Sequence, residues 1–209
     1  MGTSWGSILG TKMALKRPEL FHAYVGHAQV VNFFDNLNYA YQKVYKMAED
    51  AEDKESIEKL QSWGEPPYDD GKNSGQLLRI IKKYERENSI PAPKTWWKLA
   101  SEYDNKKDGQ HRYEGDDYSF IHLVGHEKLG IKAMITDVDF NNDGLKFKVP
   151  VYLIQGEEDI LTSKEITKIY FDSIDAPKKE YFLIPGAAHG LNQSVVDTQY
   201  QILKNHLSL

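Results

Sequence analysis

The sequence opens with Gly2-Thr3-Ser4-Trp5-Gly6, in which one serine stands between two glycines. This G-x-S-x-G pattern is typical of a sharp turn between a strand and a helix that exposes the serine hydroxyl. Both glycines are expected to be needed, because bulkier side chains would collide with the helix that follows. Apolar residues at helical spacing predict that helix over residues 7–16. The pattern alone also fits a plain glycine-rich helix start. The choice between these two interpretations depends on the rest of the chain.

A strand should precede the serine, but only three residues stand before it, so we expect that strand to be missing. The next apolar run covers residues 23–31 and predicts a short buried strand. Ser4 would then open a helix that crosses over to a parallel strand, which is half of a β-α-β unit.

Composition narrows the class of protein. The 209 residues are 40% hydrophobic and 27% charged, as in an ordinary globular domain. A net charge of −5 without a basic patch gives no electrostatic case for a nucleic-acid partner. The chain has no cysteine, which excludes disulfides and thiolate metal sites. No apolar run approaches the ~20 residues of a membrane span, so we expect no membrane partner and a cytoplasmic location.

In residues 32–142 the apolar residues recur at helical spacing, and the continuous apolar runs typical of buried strands are replaced by this pattern. We interpret this segment as a helical cap inserted into a core formed by residues 1–31 and 143–209. The predicted helix faces consist of Leu37, Tyr41, Val44, Tyr45 and Ala48, then Ile57 and Leu60, then Leu77, Leu78, Ile81 and Tyr84, and finally Phe120, Ile121, Val124 and Leu129. Turns are predicted at residues 64–67 and 69–71. Most aromatic residues of this segment are expected in a core, with a minority lining an apolar pocket: Trp63, Trp96, Trp97, Tyr103, Tyr113 and Tyr118.

Strands return after Lys148. Residues 149–156 form a continuous apolar run, as expected of a buried parallel strand. A loop with three acidic residues follows, and Thr162-Ser163-Lys164-Glu165 is a capping box for a helix that reaches Phe171. Residues 179–184 predict the next strand, a glycine-flanked loop carries His189, and a final helix is expected over residues 194–206.

Three of these residues suit nucleophilic catalysis. A hydrolytic serine needs a base to accept its proton and an acid to orient that base. The order along the chain is serine, acid, histidine, in the residues Ser4, Asp159 and His189. Each of them comes after the expected position of a strand, which would place all three at the carboxyl edge of the sheet. Rival acids are Glu157 and Glu158. The rival histidines are His22, His27, His111, His122, His126 and His206, none of which sits in a glycine-flanked loop after a strand.

The Gly-x-Ser-Trp-Gly-Ser start, the strand ending Gln-Gly-x-x-Asp and the Gly-x-x-His loop together resemble capped α/β-hydrolases similar to proline iminopeptidases. The resemblance implies an α/β fold of parallel strands with flanking helices and a helical cap insertion. It also implies Ser4 as nucleophile, Asp159 and His189 as its partners, and the Trp5 N–H as an oxyanion donor. No metal or organic cofactor is implied. The substrate would be a small peptide, amide or ester, with aminopeptidase-like cleavage of N-terminal residues favoured.

Aminopeptidase members of that family hold the substrate's free amine with cap carboxylates. Candidates for that role are Glu114, Asp116, Asp117 and Glu127, and none of them lies in a diagnostic motif. The chain departs from the family in lacking the upstream half of the sheet and the glycine-rich loop that supplies a second oxyanion donor. We therefore interpret it as the C-terminal part of a hydrolase, with an open apolar strand edge that invites self-association. An inactive fragment that associates through this edge, and an esterase or epoxide-type hydrolase, stay open as alternatives.

Three further patterns are interpreted as ordinary structure. His122 and His126 stand four apart but lack the glutamate of a zinc motif. Residues 139–144 imitate a calcium loop, yet its twelfth position would be Pro150 instead of the bidentate glutamate. Asn192-Gln193-Ser194 is a formal glycosylation sequon close to His189, in a chain without a secretory signal.

Overall fold

The computed structural model describes residues 1–68 and 71–207. Its centre is a four-stranded parallel sheet in the order β1-β2-β3-β4. The strands are β1 (Gly2–Thr3), β2 (Tyr24–His27), β3 (Val151–Gly156) and β4 (Lys179–Ile184). The prediction of an α/β fold with parallel strands and flanking helices is confirmed.

Two expectations about the strands are wrong. Gly2 and Thr3 do form a strand, in register with Gly26 and His27 of β2, so the sheet has four strands and not three. A ladder of two residues leaves no periodicity from which a sequence could predict it. The predicted strand over residues 23–31 ends at His27, because Ala28 takes a positive φ of 48° and turns the chain out of the sheet. The carboxyl end of β2 is therefore paired, and β1 forms the edge of the sheet.

Helices connect the strands as parallel topology requires. Helix α1 (Trp5–Lys16) joins β1 to β2, α7 (Lys164–Ser173) joins β3 to β4, and α8 (Gln193–Leu207) follows β4. Between β2 and β3 lie α2 (Phe33–Asp50), α3 (Lys54–Trp63), α4 (Gly71–Asn88), α5 (Lys106–Val124) and the short α6 (Phe140–Asp143). Residues 69 and 70 of one predicted turn lie outside the described residues, and Gly71 begins α4.

Apolar burial explains how these layers hold together. Strand β3 is buried along its whole length, which its continuous apolar sequence predicts. Leu153 packs in a cluster on one face of the sheet, and Ile154 in a cluster on the other face that includes Val195 of α8. A third cluster lies among α2, α3 and α4 and includes Ile160 from the loop after β3. The inserted helices thus contact the loop that carries Asp159, while the assignment of residues 32–142 as a cap stays a prediction.

The expectation that most aromatic residues of the insertion are buried is wrong. Only Trp63 of the six is half-buried, and the others are exposed: Trp96, Trp97, Tyr103, Tyr113 and Tyr118. Helix α5 has no buried residue, although it packs on α4 and on the turn at Met134–Asp137 and its C-terminal residues 120–124 are half-buried. Helical periodicity indicates which residues share a face, but it does not say whether another element covers that face.

Candidate active site

Ser4 occupies a strained turn between β1 and α1. Its φ of 53° and ψ of −120° lie in a region that non-glycine residues rarely adopt, at a cost of about 1–3 kcal/mol. Hydrogen bonds hold this conformation on both sides. The Ser4 N–H donates to the His27 carbonyl at 3.0 Å, and the Ser4 carbonyl accepts from the N–H and hydroxyl of Ser7 at 2.8 and 2.6 Å. The geometry agrees with the turn that the G-x-S-x-G pattern predicts.

The two glycines of the pattern differ in what they contribute. A Cβ on Gly2 would lie 2.3 Å from the carbonyl oxygen of Gly6, so the helix start excludes a side chain there. A Cβ on Gly6 would meet no described atom within 4 Å. The expectation that both glycines are needed is therefore wrong for Gly6 in the part of the chain that the structure describes.

His189 lies in the loop after β4 and reaches both other predicted residues. Its Nε2 is 2.8 Å from the Ser4 Oγ, and its Nδ1 is 3.2 Å from each carboxylate oxygen of Asp159. Burial disfavours a charged imidazole, but the charge of Asp159 and its hydrogen bond outweigh burial, so the pKa of His189 lies above its usual value. The structure thus brings together three residues from the carboxyl ends of three strands, and their catalytic roles stay predictions.

Asp159 is fully enclosed by hydrogen-bond donors. One oxygen accepts from the Thr162 N–H at 2.8 Å, and the other accepts from the Thr162 hydroxyl at 2.7 Å and the Gln155 side chain at 3.0 Å. Burial raises the pKa of this carboxyl, but the charge and hydrogen bond of His189 and the two hydrogen bonds from Thr162 outweigh that effect and lower the pKa overall. Of the rival acids, Glu157 pairs with Lys164 at 3.6 Å, whereas the carboxylate that contacts the His189 ring is that of Asp159.

The role of Thr162 differs from its prediction. Ser163, not Thr162, is the N-cap of α7, and its hydroxyl accepts from the Ile166 N–H at 3.3 Å. The N-cap therefore lies one residue later than predicted, and because the third helical residue is then Ile166, the predicted capping box does not form. Thr162 is free to bind Asp159, and its hydroxyl lies 3.3 Å from the His189 Nδ1.

Sequence reasoning missed Glu85, a buried carboxylate of α4. Its Oε1 accepts from the Ile160 and Leu161 N–H groups at 2.9 and 3.4 Å. Burial and the nearby charge of Asp159 raise the pKa of Glu85 to about 7. A signal was present, since Leu77, Ile81 and Glu85 follow one another at four-residue spacing on the buried face of α4.

His27 is the second histidine close to the site. It is buried at the end of β2, and both ring nitrogens lack a hydrogen-bond partner among the described residues. Burial lowers the pKa of His27 to about 4, so the ring is neutral at physiological pH. Its side chain does not hydrogen-bond Ser4, although its backbone carbonyl holds the Ser4 N–H.

The remaining candidates lie in ordinary structure. The His122 Nδ1 is 2.8 Å from the Tyr118 carbonyl, and His126 forms a bridge with Ile131. Within residues 1–68 and 71–207, no three His, Asp or Glu side chains form a group that could hold a metal ion. Asp139 caps α6 by accepting from the Asn141 N–H at 3.1 Å. Asn192 of the sequon is buried, and its Nδ2, the atom to which a glycan would be attached, donates to the Ile90 carbonyl at 3.2 Å.

A cavity of about 100 Å³ adjoins Ser4. The residues lining it include Ser4, Trp5, Phe33, Leu78, Phe120 and Ile135, contributed by the turn and by inserted helices. Trp5 is the first residue of α1, and the first amides of a helix have no intrahelical acceptor, so its N–H can donate to an oxyanion. The carboxylates proposed to bind an amine, Glu114, Asp116, Asp117 and Glu127, are exposed and do not line this cavity.

Comparison with known proteins agrees with this architecture. The model of the alpha/beta hydrolase fold family matches residues 1–192, and the chain belongs to that family. It is similar to a curated protein of Bacillus subtilis (strain 168) named "Probable aminopeptidase YbaC", with 25% identity over 198 residues, 90% of this chain and 58% of that protein. The resemblance to α/β-hydrolases stated from the sequence is confirmed.

Two solved structures share the fold. VinJ superposes with a TM-score of 0.58 at 16% identity, over 99% of this chain and 64% of that one. A proline iminopeptidase of Mycobacterium smegmatis superposes with a TM-score of 0.57 at 15% identity, over 99% and 62%. The chain thus spans about three fifths of the length of these relatives.

No helix within the described residues combines the length and hydropathy that a membrane-spanning segment requires.

Proposed function

We propose that the chain carries the catalytic residues of a serine hydrolase that acts on acyl compounds, with Ser4 as nucleophile. The observation that carries the proposal is the series of contacts from the Ser4 Oγ through the His189 ring to the Asp159 carboxylate. Family membership supports it, because the pattern around Ser4 is the one that α/β-hydrolases use for a nucleophile.

In this proposal the Ser4 Oγ attacks the acyl carbon while the His189 Nε2 accepts the hydroxyl proton. The same nitrogen then delivers that proton to the leaving amine or alcohol. Asp159 holds the Nδ1–H and stabilises the charged ring, and the Thr162 and Gln155 donors keep Asp159 ionised. The Trp5 N–H donates to the oxyanion that forms on the substrate. Water then releases the acyl group by the reverse sequence of steps.

Aminopeptidase-like cleavage of short peptides is the particular activity that the name of the Bacillus subtilis relative supports. Ester hydrolysis uses the same residues and differs only in the leaving group. The alternative of a non-catalytic chain that associates through its edge strand predicts no reactivity of Ser4. A cytoplasmic location also stays a prediction.

Labelling with a fluorophosphonate, measured by intact mass, tests the proposal. We expect one equivalent to react with the purified chain and no rapid reaction in Ser4→Ala or His189→Ala. Ser173→Ala and His111→Ala are matched controls, because both residues are exposed and lie outside the site. Absence of labelling in a sample that circular dichroism shows to be folded would refute the proposal for this chain.

A further inference from the structure

Among the residues that the structure describes, those that line the cavity beside Ser4 include no charged side chain. Among the described residues that line it, the polar ones are Ser4, Asn36, Ser74 and Thr162, and every other lining side chain is apolar or aromatic. The contributing elements are the α1 start, α2, α4, α5, the loops after β2 and β3, and the turn at Met134–Asp137. A group bound there loses its hydration and gains only apolar contacts and a few neutral hydrogen-bonding atoms.

The two buried carboxylates near this cavity are already engaged. Asp159 binds Thr162, Gln155 and His189, while Glu85 binds the backbone of the loop at Ile160. Neither residue lines the cavity. The α-amine of a peptide has a pKa near 8 and is mostly protonated at neutral pH, and an unpaired buried cation is strongly disfavoured. A free amino terminus therefore finds no anion among the described residues that line this cavity.

Size adds a second restriction. A cavity of about 150 Å³ holds one benzene molecule in another protein, so a volume of about 100 Å³ suits an acyl group of about four or five carbon atoms. Phe33, Phe120 and Ile135 limit the space around such a group. The carbon atoms of a longer acyl chain would extend beyond this volume, where they gain fewer apolar contacts.

We propose that this cavity receives the acyl part of the substrate and selects a small, uncharged, apolar group. Esters and amides of short branched or cyclic aliphatic acids are then preferred over peptides with a free amino terminus, so the cavity favours ester or simple amide hydrolysis over the aminopeptidase-like activity that the name of the Bacillus subtilis relative supports. The inference rests on the proposed function, because it takes Ser4 as the residue that receives the acyl group.

Two ligands of equal size test it. Cyclopentanecarboxamide and prolinamide share a five-membered ring and a carboxamide, and they differ by one ring methylene that is a charged amine in prolinamide. The affinity of each ligand is measured on the Ser4→Ala variant by ligand-observed NMR at pH 7. This measurement requires no catalysis. We expect cyclopentanecarboxamide to bind at least about tenfold more tightly, since an unpaired cation must be desolvated to enter. Leu78→Trp, which fills the cavity, should weaken its binding about tenfold, since the ligand would have to displace the indole ring.

Leu99→Trp is the matched control, because Leu99 is exposed and lies outside the cavity. Tighter or equal binding of prolinamide would overturn the inference, and so would the absence of binding by both ligands. The comparison of the two ligands needs no cavity variant, so a folding defect in Leu78→Trp would not affect it.

Fluorophosphonate labelling of the unsubstituted chain separates the two proposals. Labelling together with a preference for prolinamide refutes only the cavity inference. No labelling together with a preference for cyclopentanecarboxamide refutes only the catalytic role.

Discussion

Glu85 on α4 accepts a 2.9 Å hydrogen bond from the backbone of Ile160, the residue directly after Asp159. The two partners are 75 residues apart in sequence, so an inserted helix holds the loop that orients His189. We expect Glu85→Ala to release this loop and to lower the rate of Ser4 labelling about 10- to 100-fold, because small misplacements of catalytic groups are costly.

Glu85→Gln is the control for that prediction. Glutamine keeps an oxygen that can accept from Ile160 and Leu161, so the labelling rate should stay within about threefold of the original chain. Equal losses in both variants would show that the charge of Glu85, rather than its hydrogen bonds to the loop, supports the site. In hydrolysis assays, Glu85→Ala should lower kcat and leave KM nearly unchanged, because Glu85 does not line the cavity.

The reactivity of Ser4 should decline in acid at an unusually high pH. His189 must be neutral to accept a proton, and Asp159 and Glu85 raise its pKa against the opposing effects of burial and Lys82. A raised pKa means that reactivity falls as the pH drops through a value above the usual imidazole pKa of about 6.5. The rate of fluorophosphonate labelling between pH 5 and 9 measures this midpoint.

Asp159→Asn should lower the labelling rate by up to about 10⁴-fold and move the midpoint of the remaining reactivity to lower pH. The shift follows because the substitution removes the charge that raises the His189 pKa, whereas burial of the ring remains. An unchanged midpoint would mean that the titrating group is not His189.

The glycines around Ser4 should respond unequally to alanine. Gly2→Ala places a Cβ against the Gly6 carbonyl, so the turn has to deform and labelling should fall at least about 100-fold. Gly6→Ala meets open space in the first turn of α1, so the substitution should leave both the labelling rate and the stability nearly unchanged. Labelling and thermal unfolding of the two variants, compared side by side, measure the difference. A loss of reactivity in Gly6→Ala would contradict the geometry of the turn.

The stability of the sheet should depend on the packing of β3. Leu153 is fully buried in the cluster on one face of the sheet, and Leu153→Ala should lower the free energy of unfolding by about 2–5 kcal/mol. Leu129→Ala removes the same atoms from an exposed position and should change it by less than about 0.5 kcal/mol. Urea unfolding of both variants measures the two values, and similar losses would contradict the assigned burial.

The sequence predicted the elements that have a clear period and missed those that depend on a partner. Strand β3 and helices α2, α3 and α4 follow from apolar runs and helical spacing. Strand β1 could not be predicted in this way, because two residues are too few to show a periodic pattern. Their extended conformation depends on pairing with β2. The exposure of Tyr113 and Tyr118 was missed for a similar reason, since the residues of α5 do not reveal that most of the helix lacks a covering element.

The residues of the candidate site also differ in how far the sequence predicts them. Ser4, Asp159 and His189 were found because their order and their positions after strands identify them in one dimension. The contributions of Glu85 and Thr162 could not be found in this way. They depend on hydrogen bonds to the Ile160 backbone and to the Asp159 side chain, which only the folded structure shows.

Ser4 and His189 are 185 residues apart, and the hydrogen bond between them closes nearly the whole chain. Contacts of such long range form late and only when the intervening structure is in place. A reagent that reacts with Ser4 through His189 therefore counts molecules that have finished folding, and it should ignore collapsed intermediates that already have native helices. With Ser4 in its proposed role, this labelling reaction offers an assay for correct assembly during refolding or expression, independent of any substrate.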